Sequence, residues 1–257
     1  MIDIHCHPLP GVDDGAKSVD EAAEMCRMAA SDGITHIVAT PHCNYEYPFQ
    51  PNVNQEKLGE LQAAVGQEPK LLLGCDFHLS YDNIREVTKN RGSFTINGGR
   101  YLLVEFEDQF IPESMDHVFY DLQVAGLVPI LTHPERNAVL HRKPEMVYQW
   151  VARGCLVQVT AQSLTGRFGT TAQRLSEMWL ARNLVHFFAS DAHDTKRRPP
   201  LLSICYDRVA AQKGKSEAER LLRCNQAAVI EDKPLPLGPE PLAPQPTKSW
   251  FSWLRRS

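Results

Sequence analysis

Ile2-Asp3-Ile4 runs without a break into His5-Cys6-His7. A short apolar, β-branched run reads as a strand buried in a sheet, and residues two apart on a strand share a side. Both imidazoles can therefore reach one metal ion. The same grammar recurs along the chain. Ile37-Val38-Ala39-Thr40-Pro41 runs into His42, and Leu71-Leu72-Leu73-Gly74-Cys75 into Asp76. Tyr101-Leu102-Leu103-Val104 runs into Glu105, Pro129-Ile130-Leu131-Thr132 into His133, and His186-Phe187-Phe188-Ala189-Ser190 into Asp191-Ala192-His193. In an α/β barrel the C-terminal strand ends open onto one face, where active sites sit. Side chains spread from His5 to His193 would converge there. A mixed N/O donor set of this kind suits Zn, Mn or Fe rather than a thiolate site.

The expected strands are Ile2–Ile4, Ile34–Ala39, Pro69–Gly74, Tyr101–Glu105, Val128–Leu131, Cys155–Val159 and Val185–Ala189. Helical patterns lie between them: Ser18–Ser31, with Ser18 and Glu21 as a capping box and Gly33 as a stop, then Asn54–Gly66, Glu113–Ala125, Lys143–Arg153, Thr170–Arg182 and Pro199–Lys213. Strands alternating with helices and no composition break predict one α/β barrel over residues 1–231. From 232 to 257 the pattern stops. Six prolines fall between Pro234 and Pro246, and Trp250-Phe251-Ser252-Trp253-Leu254-Arg255-Arg256 follows. This reads as an extended, proline-rich tail that adds little to the barrel, with an aromatic and basic end suited to a membrane surface or a partner.

Composition narrows the class. In 257 residues, 43% hydrophobic content supports a sizeable core, and a net charge of -4 argues against a nucleic-acid partner. No apolar stretch approaches the ~20 residues of a membrane span, and the first residues lack the pattern of a secretory signal. Seven scattered cysteines without a CxxC read as reduced thiols, which points to the cytoplasm.

A single His after a strand is more often a hydrogen-bonded residue than a ligand. Several independent strand ends behaving alike is what favours metal. His36 and His186 lie inside expected strands and read as core or cross-strand residues; His117 and His141 read as solvent-facing, His141 in a loop. His78 stands two residues past Asp76 and remains open, while Glu105 is preferred to Glu107 because it is nearer the strand end. Cys6 and Cys43 should point away from the site. Arg136, three residues after His133, and Arg198, seven after Asp191, could bind a phosphate through their guanidinium forks, although either could instead form a surface salt bridge. No GxSxG, Cys-x5-Arg or Walker-type loop is present, so any phosphate hydrolysis would use a metal-activated water.

His5-x-His7, Asp14, His42, His133-x-x-Arg136 and Asp191-x-His193 with Arg198 resemble the polymerase and histidinol phosphatase (PHP) superfamily. The opening run from Met1 to Ser18, Ala39-Thr40-Pro41-His42, and Ser190-Asp191-Ala192-His193 with Arg198-Pro199-Pro200 are most similar to its metal-dependent protein-tyrosine phosphatases of capsule and exopolysaccharide clusters, the CpsB/YwqE type. The resemblance covers residues 1 to about 231. It implies a distorted TIM-like (β/α)7 barrel holding two to three divalent metals, with manganese expected first and Fe or Zn as alternatives. By resemblance, His5, His7, Asp76 and Asp191 would hold the first metal, Asp76, Glu105 and His133 the second, and Asp14, His42 and His193 the third. Arg136 and Arg198 would bind phosphate and act in catalysis. These phosphatases usually have Glu where Asp76 stands.

The implied activity is hydrolysis of a phosphotyrosine ester, with an autophosphorylating tyrosine kinase of polysaccharide export as the partner. The alternative enzyme is a small-molecule phosphatase such as histidinol phosphatase. A nucleic-acid phosphoesterase is disfavoured by the charge, and a non-catalytic interaction protein that keeps a metal site for stability is the remaining reading.

Overall fold

The structure, a computed structural model, describes residues 1–244. The strands are β1 (Ile2–Cys6), β2 (His36–Ala39), β3 (His42–Cys43), β4 (Lys70–Leu73), β5 (Asp76–His78), β6 (Tyr101–Glu105), β7 (Val128–Thr132), β8 (Leu156–Thr160) and β9 (Phe187–Ala189). All paired neighbours are parallel, in the orders β1-β2-β4 and β3-β5-β6-β7-β8-β9. β3 prolongs β2 beyond Thr40 and Pro41, and β5 prolongs β4 beyond Gly74 and Cys75. The short pieces thus act as two staves, giving seven in all. Gly74 is required at that break, since a Cβ there would come 2.9 Å from Val38 Cγ1. The ring joins at its C-terminal rim. The Asp191 amide donates to the His5 carbonyl, and the His7 amide to the Ala192 carbonyl, each at 2.8 Å. The architecture is the expected distorted seven-stave barrel.

The helices are α1 (Val19–Ser31), α2 (Pro51–Val65), α3 (Tyr81–Lys89), α4 (Met115–Val124), α5 (Ala138–Arg142), α6 (Glu145–Val151), α7 (Ala161–Leu164), α8 (Gly169–Ala181), α9 (Ser203–Lys213), α10 (Lys215–Glu219) and α11 (Asn225–Ile230). Ser18 caps α1 as expected, its Oγ accepting from the Glu21 amide at 3.2 Å. The return arm of the box goes to the Lys17 amide instead of that of Ser18, at 2.8 Å. Two cores result. Ile2, Ile4, Val38, Leu103, Ile130, Phe187 and Ala189 fill the barrel, while Ile37, Leu102, Val104, Val157 and Phe188 face outward against helical residues such as Leu61, Leu122, Trp150 and Trp179.

One irregularity in β1 decides where the histidines point. Asp3 pairs with Ile37 and Cys6 with Ala39, so three steps on β1 match two on β2. The extra residue is a β-bulge, which reverses the alternation. Ile2 and Ile4 lie inside the barrel, yet His5 and His7 also turn inward at the mouth and Cys6 turns out to the helical layer.

Residues 233–244 contain no helix or strand, but they are anchored. Tyr101 Oη donates to the Lys233 carbonyl at 2.6 Å, Leu235 packs on the barrel-interior cluster, and the Leu242 amide donates to the Arg182 carbonyl at 2.9 Å. Only Leu235 of this segment packs at the base of the barrel, beside Ala227, Val229 and Ile230 of α11, and the rest runs largely exposed from the foot of β6 toward the foot of β9. The aromatic and basic end, Trp250 to Arg256, lies outside the described residues. Truncation after Lys233 should lower the melting temperature by a few degrees, because it removes half-buried Leu235 and two hydrogen bonds, Leu242 amide to Arg182 carbonyl and Asn183 Nδ2 to Glu240 carbonyl, at a cost of about 1–2 kcal/mol. Activity on a small phosphotyrosine ester should stay unchanged; calorimetry beside that assay checks both. Among the described residues, no helix is long and apolar enough to cross a membrane.

Candidate metal centre and phosphate site

The C-terminal rim gathers all nine proposed donors. His5 Nε2 lies 3.3 Å from Asp76 Oδ2, 3.4 Å from Asp191 Oδ1 and 3.2 Å from His7 Nε2. His42 Nδ1 lies 3.3 Å from Asp76 Oδ2 and 3.4 Å from Glu105 Oε2, while its Nε2 is 3.3 Å from Asp14 Oδ1. His193 Nε2 meets the same Asp14 oxygen at 3.3 Å. His133 Nε2 is 3.5 Å from Glu105 Oε1 and 4.0 Å from Asp76 Oδ2. Asp76 is thus central despite its short side chain. Three sets could each hold a metal ion: His7, Asp14, His42 and His193; His5, His7 and Asp76; His42, Asp76 and Glu105. His7 belongs to two of them, whereas the grouping read from the sequence assigned it to one.

Several ring protons have defined places. His5 Nδ1 donates to Gln158 Oε1 at 2.9 Å, His7 Nδ1 to Asp13 Oδ2 at 2.8 Å, and His193 Nδ1 to the Asp191 carbonyl at 3.1 Å. Each bond leaves the Nε2 lone pair facing the cluster, as a metal ligand requires. His42 Nδ1, His193 Nε2 and both Asp76 carboxylate oxygens are buried without a hydrogen-bond partner. Buried polar atoms are costly when unpaired, so this donor set fits a bound cation. The carboxylates make the centre a place that favours positive charge. Burial disfavours charge on His5, yet Asp76 and Asp191 raise its pKa to about 9. Burial would also raise Asp76, but His5, His133 and His42 hold it well below the usual carboxylate range. His193 falls to about 4, with burial as the first cause, and so is a neutral ligand.

Two candidate ligands, His133 at φ 32° and Asp191 at φ 51°, occupy the left-handed region, which non-glycine residues rarely adopt. Such strain persists where the surroundings impose it, and it clusters at functional sites. The loop carrying Asp13 and Asp14 packs tightly under His7: a Cβ on Gly15 would lie 2.1 Å from the His7 carbonyl oxygen.

Arg136 and Arg198 enter from the far side of Asp191. Arg136 Nη2 meets Asp191 Oδ2 at 2.7 Å, and Arg198 Nη2 donates to the same oxygen. Burial pushes the Asp191 carboxyl up, but these guanidiniums and His5 outweigh it and hold it well below the ordinary range. Asp14, His42, Glu105, His133, Arg136 and Arg198 line a mouth of about 350 Å³ that opens to solvent.

The other titratable residues fall away from the centre. His78 pairs with Glu107 at 3.5 Å in a neighbouring groove. His117 is exposed on α4. His186 is cross-strand, its Nδ1 accepting from the Val157 amide at 3.1 Å. His36 corrects expectation: it is partly exposed at the foot of β2, with Nδ1 3.0 Å from Thr35 Oγ1. His141 does too, for it is half-buried on α5 and Nε2 donates to the Glu135 carbonyl at 2.7 Å. Asp13 and Gln158 went unread in the sequence. Asp13 sits in the opening motif beside Asp14, and Gln158 is a lone amide inside the apolar run Leu156–Val159.

A parallel barrel whose rim joins five histidines, four carboxylates and two arginines defines a metal-dependent class. Residues 1–231 match the model of the CpsB/CapC family of capsular polysaccharide synthesis, and the chain belongs to that family. The tyrosine-protein phosphatase YwqE of Bacillus subtilis is 37% identical over 202 residues, covering 77% of this chain and 79% of its own. The tyrosine-protein phosphatase CpsB of Streptococcus pneumoniae is 27% identical over 242 residues, covering 91% and 99%. Among solved structures, one from the work on YwqE and CpsB, described as metal-dependent tyrosine phosphatases, superposes with a TM-score of 0.86 at 31% identity, over 96% of this chain and 100% of that one. An organophosphorus hydrolase shares the fold alone, at a TM-score of 0.55 and 12% identity, over 90% of each chain.

Proposed function

We propose that this chain is a metal-dependent protein-tyrosine phosphatase, a cytoplasmic enzyme acting on an autophosphorylating tyrosine kinase of capsule or exopolysaccharide synthesis. The observation that carries this reading is the pair Arg136 and Arg198 beside a buried N/O donor cluster. His5, His7, Asp76 and Asp191 would hold one ion, Asp76, Glu105 and His133 a second, and Asp14, His42 and His193 a third. The donor hardness suits Mn, with Fe or Zn as alternatives. Such ions, when bound, polarise phosphoryl oxygens and acidify water to a pKa of about 7.

The chain's own groups do the rest. Arg136 and Arg198 present N–H forks to the phosphoryl oxygens and take up charge as it develops. A phenolate, with a pKa of about 10, departs without the strong acid assistance an alkoxide needs. The open mouth admits a ring carried on a polypeptide. Purified protein analysed for metals should hydrolyse a phosphotyrosine peptide with higher kcat/KM than histidinol phosphate; the reverse order would refute the assignment.

Asp13 fixes the His7 tautomer and also accepts from the His42 amide at 3.1 Å. Asp13→Ala should therefore weaken divalent-metal binding about 10- to 100-fold, as titration of the metal-stripped protein would show.

A further inference from the structure

Arg136 follows β7 and Arg198 follows β9, so their guanidiniums arrive on separate loops. Both rest on one ring. The Arg136 Cζ lies 4.9 Å and the Arg198 Cζ 5.9 Å from the Phe168 centroid. The stretch leading to Phe168 also grips the neighbours of both arginines. Glu135 Oε1 accepts from the Thr160 amide at 3.0 Å and from Ser163 Oγ at 2.7 Å. Gln162 Nε2 donates to the Pro199 carbonyl at 2.9 Å. Arg167 donates through Nε to the Arg197 carbonyl at 2.6 Å and through Nη2 to that of Lys196 at 2.8 Å.

We propose that Phe168 is the positioning residue of the phosphate site, holding Arg136 and Arg198 against a single aromatic ring within a bracket formed by residues 160–168. The proposal rests on the reading of these arginines as phosphate-binding groups. An ion pair to Asp191 fixes how far each guanidinium reaches but leaves its plane free to turn. A ring beneath the weakly hydrated guanidinium face settles the plane and leaves the N–H edges for a ligand. Arg198 Nε is such an edge donor, buried and without a partner. The contacts of the Phe168 ring are with the two guanidiniums, so the role assigned to it is to position them.

The test uses Phe168→Leu, which keeps an apolar side chain but removes the π face, with Phe168→Tyr as the conservative variant. In the metal-loaded enzyme, Phe168→Leu should lower kcat/KM on a phosphotyrosine peptide about tenfold and weaken orthovanadate inhibition in parallel. Metal content and melting temperature should match the unaltered protein, and Phe168→Tyr should retain activity. In an Arg136→Ala background the Leu change should cost less, since the nearer of its two guanidinium partners is gone. Unaltered kinetics in Phe168→Leu, fully additive losses, or loss of metal would overturn the inference. If Arg136→Ala and Arg198→Ala both keep unaltered kcat/KM, the reading of the arginines falls and this inference with it. Impaired arginine variants beside an unimpaired Leu variant would overturn this inference alone.

Discussion

The double replacement of His5 and His7 by Ala is expected to yield a folded barrel that has lost most of its bound metal and all measurable phosphatase activity. The two imidazoles reach Asp76 and Asp191 from one strand, and His7 also joins Asp14, His42 and His193. Removing them takes a donor from two of the three groups at once. The fold should survive, because the barrel interior is filled from below by Ile2, Ile4, Leu103, Ile130 and Phe187, none of which is touched. Elemental analysis and circular dichroism on the same preparation check both halves. Full metal content in the double variant would remove the basis of the assignment.

Arg136→Ala and Arg198→Ala should each lower turnover about 10²-fold, because a charge-assisted contact in a largely buried site contributes a few kcal/mol to the transition state. Metal content should not fall, since the arginines touch only the outer oxygen of Asp191 while its Oδ1 faces His5 and His7. Kinetics on a phosphotyrosine peptide, set beside metal analysis, separate this from a ligand-loss phenotype. Equal kcat/KM in both variants and the parent would show the pair to be a salt bridge only.

The barrel was legible because six of its seven staves announce themselves twice, as an apolar run and as a His, Asp or Glu at the end. What was illegible has local causes. α3 carries its apolar spacing on little more than Ile84 and Val87 amid polar residues, so no helical pattern emerges. β3 is two residues long and reads only as the end of β2. The donors converge as expected, but the residues that orient them do not follow from strand ends. Asp13 acts through a loop closing back on His7, and Gln158 reaches His5 across the barrel, a pairing that exists only once β8 and β1 face each other. His141 seemed a solvent residue because α5 is too short to show a period; its partner, the Glu135 carbonyl, is a backbone atom that composition does not reveal. Phe168 likewise looks like an ordinary loop aromatic until two distant loops fold over it.

The bulge in β1 has an electrical consequence. Because Ile4 and His5 both face inward, no ordinary spacer residue separates hydrocarbon from charge along this strand. Below the histidines lies a slab of poorly polarisable aliphatic and aromatic side chains, and only the mouth side offers solvent. Field lines from Asp76 and Asp191 cannot spread downward into water, so they are focused on whatever stands between the imidazoles. The same strand that seals the barrel therefore acts as the insulating backing of the cation site, and a polar residue in place of Ile4 would dilute that field without touching a single donor.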